Sequence, residues 1–221
     1  MYNVKRLCYE WVKSDVVGEK PMTNLSKKAV IIEKAYDAFY KGGFHATGVD
    51  ALADDAGVSK RTLYKYFPTK EHLIEAVLDH YGTMVRTCLI GAAAERATDP
   101  REQIMAIFDV RREFMLRQQF RGCLAQQAAQ EYRDRNVRIE QLGEATIHYF
   151  ETHFIALCKQ AKLRESTHLG KHLHLIFQGA VATSQMRRDV AAFATAKTIV
   201  KSLITQNAGN DARSGKARYV S

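Results

Sequence analysis

The stretch Thr47–Lys70 constrains the fold more than any other part of this sequence, because it has the pattern of two short helices joined by a tight turn. Thr47 and Asp50 can form a capping box that satisfies the first free N–H groups of one helix. Gly57 can adopt the left-handed conformation that ends this helix. Ser59 can then cap a second helix. The pattern predicts a helix-turn-helix.

The second helix of this pattern has one apolar face and one polar, basic face. Val58, Leu63 and Phe67 recur every four to five residues, which directs them to one side. Pro68 ends the helix, because its ring and missing N–H cannot continue one. The opposite side carries Lys60, Arg61, Tyr64 and Lys65.

The run Val58–Phe67, followed by Lys70, Glu71 and Leu73, resembles the DNA-binding signature of the TetR (tetracycline-repressor-like) family of bacterial regulators. The resemblance extends from about residue 26 to residue 78. It implies an all-α fold, with an N-terminal helix-turn-helix domain and a larger C-terminal helical domain for effector binding and dimerisation.

Two residues depart from the family's pattern. Arg61 stands where the family usually has a small residue such as glycine, and Gly48 where it often has serine or threonine. A recognition helix of this length can enter the major groove, where arginine and lysine bond guanine edges. Base or near-base contacts are therefore predicted for Lys60, Arg61, Thr62 and Lys65. The resemblance assigns phosphate contacts to Thr47, Tyr64, Tyr66 and Lys70, with Ser59 completing the DNA-binding set.

The composition favours a helical, DNA-binding protein. The 221 residues include only 3 prolines, and the net charge of +9 favours an anionic partner. No apolar run approaches the roughly 18 residues of a membrane span. The four cysteines are widely spaced and no secretory signal precedes them, which indicates free thiols and a cytoplasmic location.

Helix signals along the rest of the chain predict an all-α, two-domain protein. Apolar residues at helical spacing and capping residues place the helices at about 26–40, 69–97, 99–120, 124–132, 136–161, 168–187 and 191–206. The predicted domains are 23–72 for DNA binding, with its motif at about 48–67, and 73–207 for effector binding and dimerisation. Residues 208–221 are predicted to be a disordered basic tail. For the extension 1–22, a disordered segment, an extra helix, an arm along DNA and translation upstream of a start at Met22 all stay open.

Aromatic and apolar residues in the second half suggest a pocket and an interface, with ordinary core packing as the alternative. The predicted effector pocket consists of Phe108, Phe114, Cys123, Tyr149, His153, Phe177 and Gln178. The predicted dimer interface, which the resemblance makes a four-helix bundle, consists of Leu173, Ile176, Ala180, Ile199 and Leu203. A DNA-binding domain with a single short recognition helix contacts little DNA, so dimerisation is expected to supply the contact area that specific binding needs.

Two reactive-residue hypotheses remain secondary. Cys123 follows Arg121, whose charge could lower the thiol pKa and create a redox sensor, although buried cysteines more often pack as small hydrophobes. His168 and His172 have the i, i+4 spacing of a zinc pair, but no second pair of ligands accompanies them. No metal site and no cofactor are predicted.

The sequence predicts a homodimeric, TetR-like transcriptional regulator, a repressor that binds palindromic operator DNA and is released by a small-molecule effector. Two alternatives stay open, an architectural DNA-binding protein without effector and a thiol-based sensor that uses Cys123. No nucleophile–base pair or phosphate loop occurs, so an enzyme is not expected.

Overall fold

The computed structural model of the chain describes residues 26–208, and every regular element within that range is helical. The predicted all-α fold is confirmed over these residues. The predicted extension 1–22 and all of the basic tail except Ala208 lie outside them. The helices are α1 Lys27–Gly42, α2 Val49–Asp55, α3 Lys60–Tyr66, α4 Lys70–Met84, the π-helical segment Val85–Ile90, α5 Gly91–Arg96, α6 Pro100–Arg117, α7 Leu124–Glu131, α8 Val137–Gln160, α9 Ser166–Arg187 and α10 Ala191–Gln206.

Local capping chemistry explains where several helices begin and end. Ser26 caps α1 by accepting a hydrogen bond from the Ala29 amide at 3.3 Å. Thr69 caps α4, and Asp99 caps α6 by accepting hydrogen bonds from the next two free amides. Gly43 ends α1 at a φ of 79°, in the left-handed region that favours glycine. These starts and stops agree with those predicted from sequence.

The helix-turn-helix differs from the prediction at one cap. Gly48 rather than Thr47 is the N-cap of α2, and it makes no side-chain capping bond. The capping box predicted from Thr47 and Asp50 is therefore wrong. The turn is as predicted, because Gly57 has a φ of 63° and Ser59 caps α3.

The described chain divides into two compact units. The first contains residues 26–91 and 121–148, and the second contains residues 92–120 and 149–208. The core of the first unit includes the fully buried Phe39, Phe44 and Leu63. The core of the second unit includes Phe108 and Phe154.

The predicted helix 69–97 is helical throughout residues 70–96 but contains the π-helical segment. Cys88 lies in that segment, is buried and is disulfide-bonded. The prediction that all four cysteines are free thiols is therefore wrong at Cys88, whereas Cys123 and Cys158 are free. None of the helices within 26–208 is both long and apolar enough to cross a membrane.

Candidate nucleic-acid interface

Helix α3 is held by its apolar face and presents its polar face to solvent. Leu63 is completely buried and Phe67, which follows the helix, is almost so. Lys60, Arg61 and Lys65 are exposed. The exposed face also carries two aromatic rings, Tyr64 and Tyr66. The structure thus brings together six of the residues predicted to contact DNA, five of them exposed and Thr62 half-buried.

The start of α3 is capped by hydrogen bonds between two hydroxyl groups and from the backbone. The Ser59 hydroxyl oxygen accepts a hydrogen bond from the Thr62 amide at 3.2 Å. It lies 2.9 Å from the Thr62 hydroxyl oxygen, with which it shares a second hydrogen bond. This cap fixes the direction of α3 relative to the turn.

Lys60 is paired with an acidic residue of the preceding helix. Its Nζ lies 2.8 Å from the Asp50 Oδ1, and both side chains are largely exposed. The hydrogen bond to Asp50 raises the pKa of Lys60. Sequence reasoning placed Asp50 in a capping box and missed this pair, although the spacing from residue 50 to residue 60 across a tight turn permits it. The ion pair competes with any contact of Lys60 to DNA.

Thr47 is directed inward. Its hydroxyl donates to the Gly43 carbonyl oxygen at 2.6 Å, and the residue is 9% exposed. The predicted phosphate contact through this side chain is therefore not available in the structure, because the hydroxyl holds the turn between α1 and α2.

Lys70 begins α4 and faces the same turn. Its Nζ donates to the His45 carbonyl oxygen at 3.3 Å, and burial lowers the pKa of this half-buried amine. The Thr69 hydroxyl caps the helix at the His72 amide. An amine beside a helix N-terminus is suited to an anion, and the phosphate contact of Lys70 stays a prediction.

Helix α7 holds this turn through Glu131, a residue that sequence reasoning did not single out. Its carboxylate accepts hydrogen bonds from the backbone amides of Phe44 and His45, at 3.3 and 3.0 Å. The ring of His45 donates to the Glu131 carbonyl oxygen and stacks on Tyr132, with ring centroids 4.8 Å apart. Burial raises the pKa of Tyr132 to about 12. No local pattern reveals such a contact, because it joins residues 86 positions apart.

The residues predicted to line an effector pocket are not all together. Phe108 and Phe177 belong to a buried cluster of the second unit, with ring centroids 5.5 Å apart. Phe150 and Phe154 join it, with centroids 5.1 and 5.7 Å from Phe177. Rings at these distances leave no room for a ligand between them. Phe114 is also buried in this unit.

The polar members of that predicted set lie on two helices. His153 stacks on Tyr149 in α8, and burial lowers the pKa of His153. The Gln178 Nε2 is hydrogen-bonded to the His174 Nε2 at 3.2 Å. The other ring nitrogen of His174, Nδ1, lies 3.6 Å from the Glu151 Oε2. Sequence reasoning missed the Glu151–His174 pair.

Cys123 lies in the first unit, unlike the rest of the predicted pocket. It is half-buried, and the Tyr81 hydroxyl donates to its sulfur at 3.6 Å. Arg121, which was expected to act on this thiol, instead pairs with Asp37 at 2.8 Å and lies over the ring of Tyr40.

The predicted dimer-interface residues divide between core and surface. Leu173 and Ala180 are buried within the second unit, so their assignment to an interface is wrong for this structure. Ile199 is exposed, and Ile176 and Leu203 are half-buried. Over residues 26–208, no three His, Cys, Asp or Glu side chains are grouped to hold a metal ion, and this includes the pair His168 and His172.

A three-helix head whose third helix turns a basic, aromatic face to solvent defines a helix-turn-helix protein. Residues 31–77 match the family model described as "Bacterial regulatory proteins, tetR family". The helix-turn-helix region of the chain is of the TetR family's kind.

Known regulators are similar over the same region. The chain is 44% identical over 61 residues to the HTH-type transcriptional regulator RutR of Escherichia coli (strain K12). The matched stretch covers 28% of this chain and 29% of RutR. It is 36% identical over 81 residues to the HTH-type transcriptional activator FasR of Mycolicibacterium smegmatis, covering 36% of each chain. The chain thus matches only about a third of these relatives' length. They are named as regulators, not as enzymes.

Solved structures extend the likeness in fold across most of the chain. SCO4454, a TetR-family transcriptional regulator from Streptomyces coelicolor, has a TM-score of 0.77 and 24% identity, covering 83% of this chain and 96% of that one. The reduced form of Escherichia coli NemR has a TM-score of 0.71 and 19% identity, covering 81% and 97%.

Proposed function

We propose that this protein is a transcriptional regulator that binds palindromic operator DNA as a homodimer, represses transcription and is released by a small-molecule effector. The observation that carries the proposal is the outward face of α3, where Lys60, Arg61 and Lys65 are exposed while Leu63 anchors the helix in the core. Such a helix can enter a major groove with its charged groups towards the bases.

The side chains of α3 divide into two roles in this proposal. Arg61 and Lys65 supply contacts to base edges, because both can bond guanine. Tyr64, Tyr66 and Lys70 contact phosphates, which position the helix without reading sequence. Thr62 contributes its half-buried hydroxyl group near the groove edge.

The second unit supports the dimer. Leu175 and Met186 of α9 are 72% and 79% exposed, and Ile199 of α10 is also exposed. Gly179 lies between the first two, and a Cβ at its position would meet nothing within 4 Å. An exposed apolar stripe with a small residue at its centre suits the close approach of an identical helix pair about a two-fold axis. Ile176, Ile199 and Leu203 remain in this proposed interface.

The effector site is proposed for the second unit, beside the aromatic cluster. Tyr149, His153 and Gln178 supply polar groups on half-buried surface there. The site of action is proposed to be the bacterial cytoplasm, where operator DNA lies.

A second candidate is an architectural DNA-binding protein without an effector. The packing of Phe108, Phe154 and Phe177 favours it, because these rings fill the space in which a ligand was expected. A thiol sensor remains a third candidate through the half-buried Cys123.

The test begins with selection of preferred duplexes from a random pool, followed by binding measurements against a scrambled duplex. Arg61→Ala is expected to weaken operator binding and relax one base position, at a cost of about 1–3 kcal/mol. Lys70→Ala is expected to weaken all duplexes alike and to reduce the salt slope by about 1. Lys171→Ala, an exposed lysine of α9, is the control for the loss of one charge. Equal binding of selected and scrambled duplexes by the native protein would contradict a specific regulator. Compounds that release the selected duplex would separate the effector model from the architectural one.

A further inference from the structure

The link between α7 and α8, residues 132–136, carries basic side chains that the proposed function does not use. Arg133 and Arg135 lie in this link, Arg138 lies in the first turn of α8, and all three are exposed. One exposed carboxylate, Asp134, lies among them. The exposed side chains of this segment therefore carry an excess of positive charge, which favours an anionic partner.

The α7–α8 link is held against the turn that leads into the helix-turn-helix. Tyr132 is buried, and its ring stacks on that of His45 with ring centroids 4.8 Å apart. The Arg135 amide donates to the Tyr132 carbonyl oxygen at 3.0 Å. At the end of the link, the Asn136 Oδ1 accepts a hydrogen bond from the Arg138 amide at 3.1 Å. These contacts fix the backbone of the link beside His45.

The Arg135 guanidinium lies beside the ring of His45. Its Nη1 is 3.3 Å from the His45 Nε2. The same ring nitrogen donates to the Glu131 carbonyl oxygen at 2.9 Å, so it has no lone pair with which to accept a hydrogen bond from Arg135. The guanidinium is therefore placed by the ring without being hydrogen-bonded to it. Its N–H groups can bind an oxyanion bidentately.

Lys70, which is proposed to contact a phosphate, lies on the same turn. Its Nζ donates to the carbonyl oxygen of His45 at 3.3 Å, while Arg135 lies at the ring of that residue. Burial lowers the pKa of Lys70, and the nearby carboxylates of Glu71 and Glu131 oppose this effect in part. Both carboxylates are half-buried, and that of Glu131 accepts hydrogen bonds from two backbone amides of the turn. The Arg135 guanidinium is therefore separated from the proposed DNA surface by a single residue.

We propose that the α7–α8 link is a second contact surface for the backbone of duplex DNA, outside the helix-turn-helix. Arg135 binds a phosphate at or beside the one held by Lys70, and Arg133 and Arg138 add to the local positive charge. Such a contact positions the protein on the duplex and reads no base. This inference rests on the DNA binding of the proposed function and adds to it residues about 70 positions beyond the recognition helix.

The salt dependence of binding by the full chain tests the charge. Arg135→Gln removes the positive charge and keeps a polar side chain. It should weaken the binding of selected and scrambled duplexes alike and reduce the salt slope by about 0.9, the value for one phosphate. Arg135→Lys keeps the charge and should retain the native slope. Arg112→Gln, at an exposed position of α6, is the control and should leave the slope unchanged.

Neutral methylphosphonates, placed at one phosphate of the selected duplex at a time, locate the contact. The native protein should lose affinity wherever it binds the replaced phosphate. At one such position Arg135→Gln should lose nothing further, because the partner of that phosphate is already missing. This position should coincide with or adjoin the one at which Lys70→Ala loses nothing further. If Arg135→Gln has no such position, or unfolds at lower urea with a native salt slope, Arg135 only packs on His45 and the inference is overturned.

The same measurements separate the failure of this inference from the failure of the proposed function. If Arg61→Ala and Lys70→Ala weaken binding while Arg135→Gln binds as the native protein does, the helix-turn-helix binds DNA and the contact surface on the link is wrong. If the native protein binds selected and scrambled duplexes equally, the specific regulator is wrong, and a reduced slope in Arg135→Gln would still support the contact surface. If it binds no duplex, both are wrong.

Discussion

The carboxylate of Glu131 accepts a hydrogen bond from the backbone amide of His45 at 3.0 Å. A second bond from the Phe44 amide completes the arrangement at 3.3 Å. The C-terminus of α7 thus holds the turn that leads into the helix-turn-helix. Lys70 bonds the carbonyl oxygen of the same turn, so the position of α2 depends on a residue far away in sequence.

Removal of the Glu131 carboxylate should destabilise this turn. We expect Glu131→Ala to lower the free energy of unfolding by about 1–2 kcal/mol, because two backbone amides lose a charged acceptor at a partly exposed site. Urea unfolding followed by circular dichroism measures the change. Gln130→Ala, at the exposed neighbouring position, is the control and should be nearly neutral. An equal effect of both changes would show that the carboxylate contributes nothing specific.

Asp50 should limit the affinity for DNA. Asp50→Asn removes a negative charge beside α3 and releases Lys60 from its ion pair. All duplexes, selected or scrambled, should then bind more tightly, and the salt slope should steepen by up to about 1 as Lys60 gains a phosphate. Asp54→Asn, on the same helix, tests the effect of charge alone. If the two changes have the same effect on the slope, the Lys60–Asp50 pair does not restrain binding.

Gly143 should tolerate no side chain. A Cβ at this position would lie 2.5 Å from the Ala125 carbonyl oxygen, a backbone atom of α7. We expect Gly143→Ala to cost about 1–3 kcal/mol through overpacking between α7 and α8. Gly91→Ala makes the same chemical change where nothing lies within 4 Å, and it should be neutral or stabilising by up to about 1 kcal/mol. Thermal unfolding of the two variants compares them, and equal melting temperatures would contradict the packing argument.

His153 should make stability depend on pH. Burial lowers its pKa in the folded state, so below a pH of about 6.5 the unfolded chain binds more protons than the native chain. The contribution is present above that pH and is lost as the pH falls. His153→Gln should therefore reduce the loss of stability between pH 7 and 5. Unfolding curves at both pH values test this, with exposed His168→Gln as control. An unchanged pH dependence would show that the burial of His153 is not transmitted to stability.

The apolar stripe on α9 should control the oligomeric state. We expect Leu175→Glu to shift the protein from dimer to monomer in sedimentation equilibrium, because a charge would be buried at the proposed two-fold interface. Leu116→Glu places the same charge at an exposed leucine of α6 and should leave the dimer intact. A monomeric native protein, or a dimeric Leu175→Glu variant, would contradict this interface.

Local chemistry in the sequence determined most of the helical architecture. Capping residues such as Ser59, Thr69 and Asp99 act on amides within three positions, and Gly57 meets a backbone requirement of its own turn. The polar face of α3 was predictable for the same reason, since helical periodicity alone separates Arg61 from Leu63. These features need no knowledge of distant contacts.

Only the tertiary structure decided what those elements touch. Apolar residues recur on two sides of α9, so their spacing could not reveal which side faces the core. The structure shows that Leu173 is buried in the core while Leu175 is exposed. The bond between Glu131 and His45, the pair of Lys60 and Asp50, and the inward turn of Thr47 depend on how the helices pack. A side chain's partner is set by the nearest atoms in space, and sequence distance specifies those only within a turn or two of the same helix.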